Sequence, residues 1–126
     1  MSHTTIYNSE LHIIESKVQG DFTLNEAKEM INEIALFAKE QDCTLLLTDY
    51  REATVKLSVL EIYYMPKTIL DTSTTFGLDP RRFKRALVIS KVFKDFLFFE
   101  NVMVNKSQNA KVFYDIDEAK QWLFKK

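Results

Sequence analysis

Few residues in this chain are of a type that does chemistry, and their spacing narrows the choice further. The histidines are His3 and His12, and the one thiol is Cys43. A structural zinc site needs about four such ligands, and these three residues cannot supply them. A Ser-His-Asp arrangement would have to use His12, which falls in a predicted edge hairpin with no serine in a nucleophile-elbow context. Cys43 sits beside a continuous apolar run and reads as a small core residue. Acidic residues are plentiful, but no pair is set apart by its spacing. The residues therefore argue against an enzyme, a bound metal and a cofactor.

Three polar groupings remain. In a parallel α/β sheet, ligands meet the carboxyl ends of the strands. Asp49, Tyr50 and Arg51 follow one apolar run, and Ser90 and Lys91 follow another, so these five residues are expected to form a polar rim. Asp49 can equally bond nearby backbone amides. Ser58 opens a helix, where a phosphoryl group would meet a favourable helix N-terminus. The same serine also fits a plain helix cap. Arg81, Arg82, Lys84 and Arg85 make a local basic cluster that can hold an anion or lie on an acidic membrane surface, or simply form a solvated edge.

These residues need elements to hold them. The chain of 126 residues is the size of one domain, expected to span residues 1–126, and it is 46% hydrophobic and 28% charged. Two glycines and two prolines leave little material for Gly-rich phosphate loops. A net charge of −1 argues against a nucleic-acid binder, which needs a basic face. No apolar stretch approaches the ~20 residues of a membrane span. The polar start Met-Ser-His-Thr-Thr has no signal-type run, and with a single cysteine a cytoplasmic setting is expected. Asn105-Lys-Ser107 matches a glycosylation sequon, which in that setting is read as chance.

Residues 4–8 and 11–19 read as strands of a hairpin turned at Asn8-Ser9, with Gly20-Asp21 ending the second. Thr23-Leu-Asn-Glu26 spells a capping box. After it, Ala27, Met30, Ile31, Ile34, Phe37 and Ala38 recur at helical spacing, which predicts a helix to about Gln41. The run 44–48 reads as a strand buried on both faces. Ser58-Val-Leu-Glu61 is a second capping box, opening a helix toward Asp71 with a kink or break expected at Pro66. Residues 71–80 are expected to form the most mobile loop. Residues 86–90 form another buried strand, 92–106 a helix and 111–114 a last strand. Asp115-Ile-Asp-Glu118 is a third capping box, and Ala119, Trp122 and Leu123 give the closing helix its inner face. The predicted order is β-β-α-β-α-β-α-β-α. It is an α/β fold with a mostly parallel, helix-covered central sheet and an N-terminal antiparallel hairpin.

The stretches Leu45-Leu-Leu-Thr-Asp-Tyr-Arg51, Arg85-Ala-Leu-Val-Ile89 and Lys111-Val-Phe-Tyr-Asp-Ile-Asp-Glu-Ala-Lys-Gln-Trp-Leu123 give the chain a family likeness over nearly its whole length. It resembles the STAS-like family of bacterial anti-sigma factor antagonists and their STAS/CRAL-TRIO-like small relatives. The resemblance implies a non-catalytic regulatory module that binds a protein partner or, as in the CRAL-TRIO relatives, a lipid. Regulatory members carry a phosphorylatable serine in an Asp-Ser-Ser-Gly-like turn. Here only Ser58 holds a comparable place, in Val55-Lys-Leu-Ser-Val-Leu-Glu61, without the adjacent serine or the glycine.

The segment 92–104 is unusually rich in phenylalanine. At about 100° per residue, Val92, Phe93, Phe96, Leu97, Phe99, Met103 and Val104 share one arc that suits the core. Phe98 and Val102 fall outside it and form a second stripe, expected to meet a second copy of the chain or a partner helix. Tyr63, Tyr64 and Phe76 can line an apolar pocket near the expected loop. Two roles follow: a self-associating protein-interaction module, and a small-molecule or lipid carrier.

Overall fold

The computed structural model describes residues 3–90 and 109–125. Among them, strands β1 (His3–Asn8), β2 (Ile13–Phe22), β3 (Leu45–Val55), β4 (Lys84–Val88) and β5 (Asn109–Phe113) form one sheet, with neighbours in sequence order. β1 and β2 pair antiparallel, and every later pair is parallel. Helices α1 (Leu24–Gln41), α2 (Val59–Thr75) and α3 (Ile116–Phe124) pack on this sheet. The expected α/β architecture is therefore present. The predicted helix over 92–106 lies outside the described residues, and with it Lys91, Phe98 and Val102.

Strand alternation separates two apolar layers. Leu87 and Ile89 join Ala27 and Met30 of α1 and Ile62, Met65 and Ile69 of α2. Ala86 and Val88, pointing the other way, join Ala119 and Leu123 of α3. So α1 and α2 cover one face of the sheet and α3 the other. A third cluster, around Ile14, Ala38, Cys43 and Phe83, closes the end where α1 returns to β3.

Helix starts follow their local sequence. Thr23, Ser58 and Asp115 are the N-caps of α1, α2 and α3, and the side chain of each accepts a backbone N–H of the first turn. At α2 the box is reciprocal: the Ser58 N–H donates to Glu61 Oε1 at 2.8 Å, and the Glu61 N–H donates to Ser58 Oγ at 3.1 Å.

Several expectations are corrected. β2 does not end at Gly20-Asp21 but runs to Phe22. Its register shifts between Lys17 and Gln19, and Gly20, at φ 73°, still pairs with Ala53. A glycine accepts that backbone angle without strain. Leu11 belongs to the turn rather than to β2, and His12 there has φ 55°. β3 is not the short run 44–48: it continues to Val55, because β2 offers it parallel pairing as far as Phe22–Val55.

The helix through Pro66 neither breaks nor ends at Asp71. Pro66 is buried beside Met65 and Ile69, and packing of this apolar face holds the helix where local propensity would end it. α2 stops at Thr75, in the region expected to be a loop. There the Leu78 N–H donates to the Ser73 carbonyl at 2.7 Å and the Gly77 N–H to the Thr74 carbonyl at 3.0 Å. With Gly77 at φ 74° this is a Schellman cap.

Candidate functional site

The expected polar rim is taken apart by the strand pleat. Asp49, Tyr50 and Arg51 lie inside β3, not beyond its end. Asp49 is level with Val88, the last residue of β4. Asp49 and Arg51 share one face and pair with each other. The Arg51 side chain donates from Nε to Oδ1 at 2.9 Å and from Nη2 to Oδ2 at 2.8 Å. The Arg51 backbone N–H adds a third bond to Oδ1 at 3.0 Å. Burial alone would raise the Asp49 carboxyl, but Arg51 outweighs it and holds it below the usual carboxylate range. Tyr50 points to the opposite face and is buried edge-on to the Phe22 ring, centroids 5.4 Å apart. Its burial pushes the phenol well above its usual range. Ser90 is half-buried just beyond β4.

Ser58 is exposed, and its hydroxyl is engaged by the Glu61 amide in the α2 capping box. The Glu61 carboxylate closes the other half of that box.

The basic cluster is also dispersed. Arg81 is exposed and forks onto Asp79 at 3.1 and 3.2 Å, and Arg82 is exposed on the same one-turn helix Pro80–Arg82. Lys84 turns to the α3 layer, where Nζ reaches the carbonyls of Trp122 and Lys125. Arg85 goes to the other face and is only 8% exposed. The four residues make no common anion-binding surface, because alternation along β4 sends its first two to opposite layers.

Arg85 is the unexpected residue. It stands opposite Leu46 in the β3–β4 register, on the side covered by α1 and α2. There it borders a cavity of about 70 Å³ whose wall is mostly apolar, including Phe22, Met30, Met65 and Leu87. The polar side chains of Thr48, Tyr50 and Ser73 also reach this wall, and each is buried. The guanidinium carbon lies 5.3 Å from the centre of the Phe83 ring. Nη1 is buried with no hydrogen-bond partner, and among the described residues no carboxylate forms an ion pair with Arg85. Burial lowers Arg85 to about 10, against an opposing contribution from Tyr50.

Two further features were missed in the sequence. His3 is buried between α1 carboxylates, with Nδ1 2.5 Å from Glu26 Oε2 and Nε2 2.7 Å from Glu33 Oε1. Burial would lower this imidazole, but the two carboxylates raise it above its ordinary value. With Glu29, His3 and Glu26 could offer three donor atoms within 4.8 Å of one another, yet both ring nitrogens already face a carboxylate. The second feature is the outer face of α2, where Val59, Leu60, Tyr63, Tyr64 and Leu70 are all exposed. Its sequence signal was an apolar residue on every side of this helix, where a surface helix normally shows one polar face. Tyr63 and Tyr64 line an open groove of about 610 Å³ with Leu70, Leu78 and Pro80. Phe76, expected beside them, is the C-cap of α2.

No protein-family description and no curated protein matches this sequence. Solved structures do match in fold. One is an anti-sigma factor antagonist from Mycobacterium paratuberculosis, 10% identical, with a TM-score of 0.60 over 98% of this chain and 96% of that one. The chain thus has a STAS-like fold. Among the described residues, no helix is long and apolar enough to cross a membrane.

Proposed function

We propose that this chain is a single-domain, non-catalytic regulatory module that works in the cytoplasm by binding protein, without cofactor or metal, and that it self-associates. The observation that carries the reading is the outer face of α2. Exposed side chains of Leu60, Tyr63, Tyr64 and Leu70 on one helix leave an apolar surface of the kind that marks contacts. Lys67 and Asp71 sit on that same side, 3.0 Å apart, so the face carries both signs of charge and suits an antiparallel copy of itself. The fold shared with an anti-sigma factor antagonist supports the regulatory part. Ser58, which starts this same helix, is the residue at which a phosphoryl group would alter the face. Phe98 and Val102 remain a second proposed contact.

Sedimentation velocity over a range of concentrations tests the reading. The wild type is expected to dimerise, and a Leu60→Asp/Tyr64→Asp variant to stay monomeric with unchanged circular dichroism. A wild type that remains monomeric at the highest concentration removes self-association. A second reading, a carrier of a small apolar molecule, is favoured by the apolar cavity beside Arg85.

A further inference from the structure

The cavity between the sheet and helices α1 and α2 combines two properties that conflict unless something occupies it. Its wall is built from Phe22, Met30, Met65, Leu87 and similar side chains. Such a wall gains nothing from water. One side nevertheless carries a guanidinium whose Nη1 is buried and unpartnered. Leaving a buried charge uncompensated is costly, and replacement by an apolar side chain is often stabilising. A chain that needed only a packed core here would do better with methionine or leucine at position 85.

We propose that this cavity binds a small monocarboxylic acid with a short apolar chain, its carboxylate paired with Arg85 and its chain against α1 and α2. The inference rests on the carrier reading given above. A planar guanidinium presents two parallel N–H donors that match the two oxygens of a carboxylate. Arg85 is the only charged residue on the described wall, so a singly charged ligand balances it. A phosphate dianion would need a second cation, and among the described residues none lines the cavity. Thr48, Tyr50 and Ser73 add polar side chains on the Arg85 wall. The volume of about 70 Å³ restricts the chain to a few carbons. For comparison, a dry cavity of ~150 Å³ holds benzene.

The test is calorimetric titration of the full chain with acetate, propionate and butyrate, each beside the primary alcohol of equal length. The expected result is saturable binding of at least one acid, about tenfold or more tighter than its alcohol. Arg85→Met should abolish that preference, while its unfolding temperature stays level or rises. Acids and alcohols binding equally would overturn the carboxylate assignment and leave the carrier reading standing. No saturable binding by either series would overturn both. An acid preference that survives in Arg85→Met would overturn the role of Arg85. If that variant does not fold, the acid-against-alcohol comparison on the wild type decides by itself.

Discussion

Asp49 and Arg51 form a two-pronged ion pair along a single strand, with both carboxylate oxygens engaged at 2.9 and 2.8 Å. Residues two apart on a strand share a face, so β3 needs no second element to build this pair. The Asp49 side chain is 12% exposed and that of Arg51 44%, so solvent screens the pair from one side only.

Asp49→Asn should therefore cost about 1 kcal/mol, the scale of a partly screened pair with its hydrogen bonds. The sign of the pH dependence follows from the lowered carboxyl. Its contribution is complete above the unfolded value of about 3.9 and disappears as pH falls through the lower folded value. Urea midpoints of wild type and variant should differ at pH 6 and converge in strong acid.

His3 predicts the opposite slope. Its folded pKa lies above the ordinary imidazole value, because Glu26 and Glu33 outweigh the effect of burial. The stabilisation is complete below about pH 6.5 and is lost as pH rises through the raised value. Chemical denaturation should show the wild type losing stability as pH rises above about 6.5. His3→Gln should be weaker by about 2 kcal/mol at the acidic end, the scale of hydrogen bonds to charged groups. The variant should lack the slope. An identical slope in both proteins would move the titration to another group.

The capping box at Ser58 gives a prediction that separates structure from regulation. Ser58→Ala should lose about 1 kcal/mol through the unfilled cap, and Ser58→Asp should lose little, since aspartate caps equally well. Thermal melts check both. A Ser58→Asp protein that melts like wild type yet dissociates to monomer would point to the introduced charge acting on the α2 face rather than on stability.

What the sequence disclosed and what it hid divide along the range of the interactions. Thr23, Ser58 and Asp115 were legible as caps because their partners lie within three residues. The short apolar runs of β3 and β4 were legible for the same reason. The extension of β3 through Asp49 to Val55 was not, since it depends on β2, a partner from before α1. His3 gave no sign of its role, because Glu26 and Glu33 come from a helix that only tertiary folding brings to β1. Arg85 was read with Arg81, Arg82 and Lys84 as surface charge. Its period-two relation to Leu87 and Ile89 was the available signal that it faces inward. Pro66 shows the reverse case, a strong local rule overridden by burial of the whole helix face.

Lys84 carries the last prediction, since it joins β4 to the end of α3. Its Nζ donates to the Trp122 carbonyl at 2.5 Å and to the Lys125 carbonyl at 2.8 Å, and lies 4.5 Å from the centre of the Trp122 ring. These are carbonyls at the C-terminal end of a nine-residue helix, where a cation also meets the negative end of the helix dipole. Lys84→Met keeps the apolar stem and removes the charge, so packing is retained while the cap is lost. The expected cost is about 1 kcal/mol. Trp122 is the chain's single tryptophan and half-buried, so its fluorescence reports this contact directly. Loss of the ammonium above the ring should change its emission in the folded state, before any unfolding. Hydrogen exchange at the last turn of α3 should quicken, with the amides of β4 unaffected. An unchanged emission spectrum together with unchanged exchange in α3 would mean that Ala119 and Leu123 dock the helix without help from Lys84.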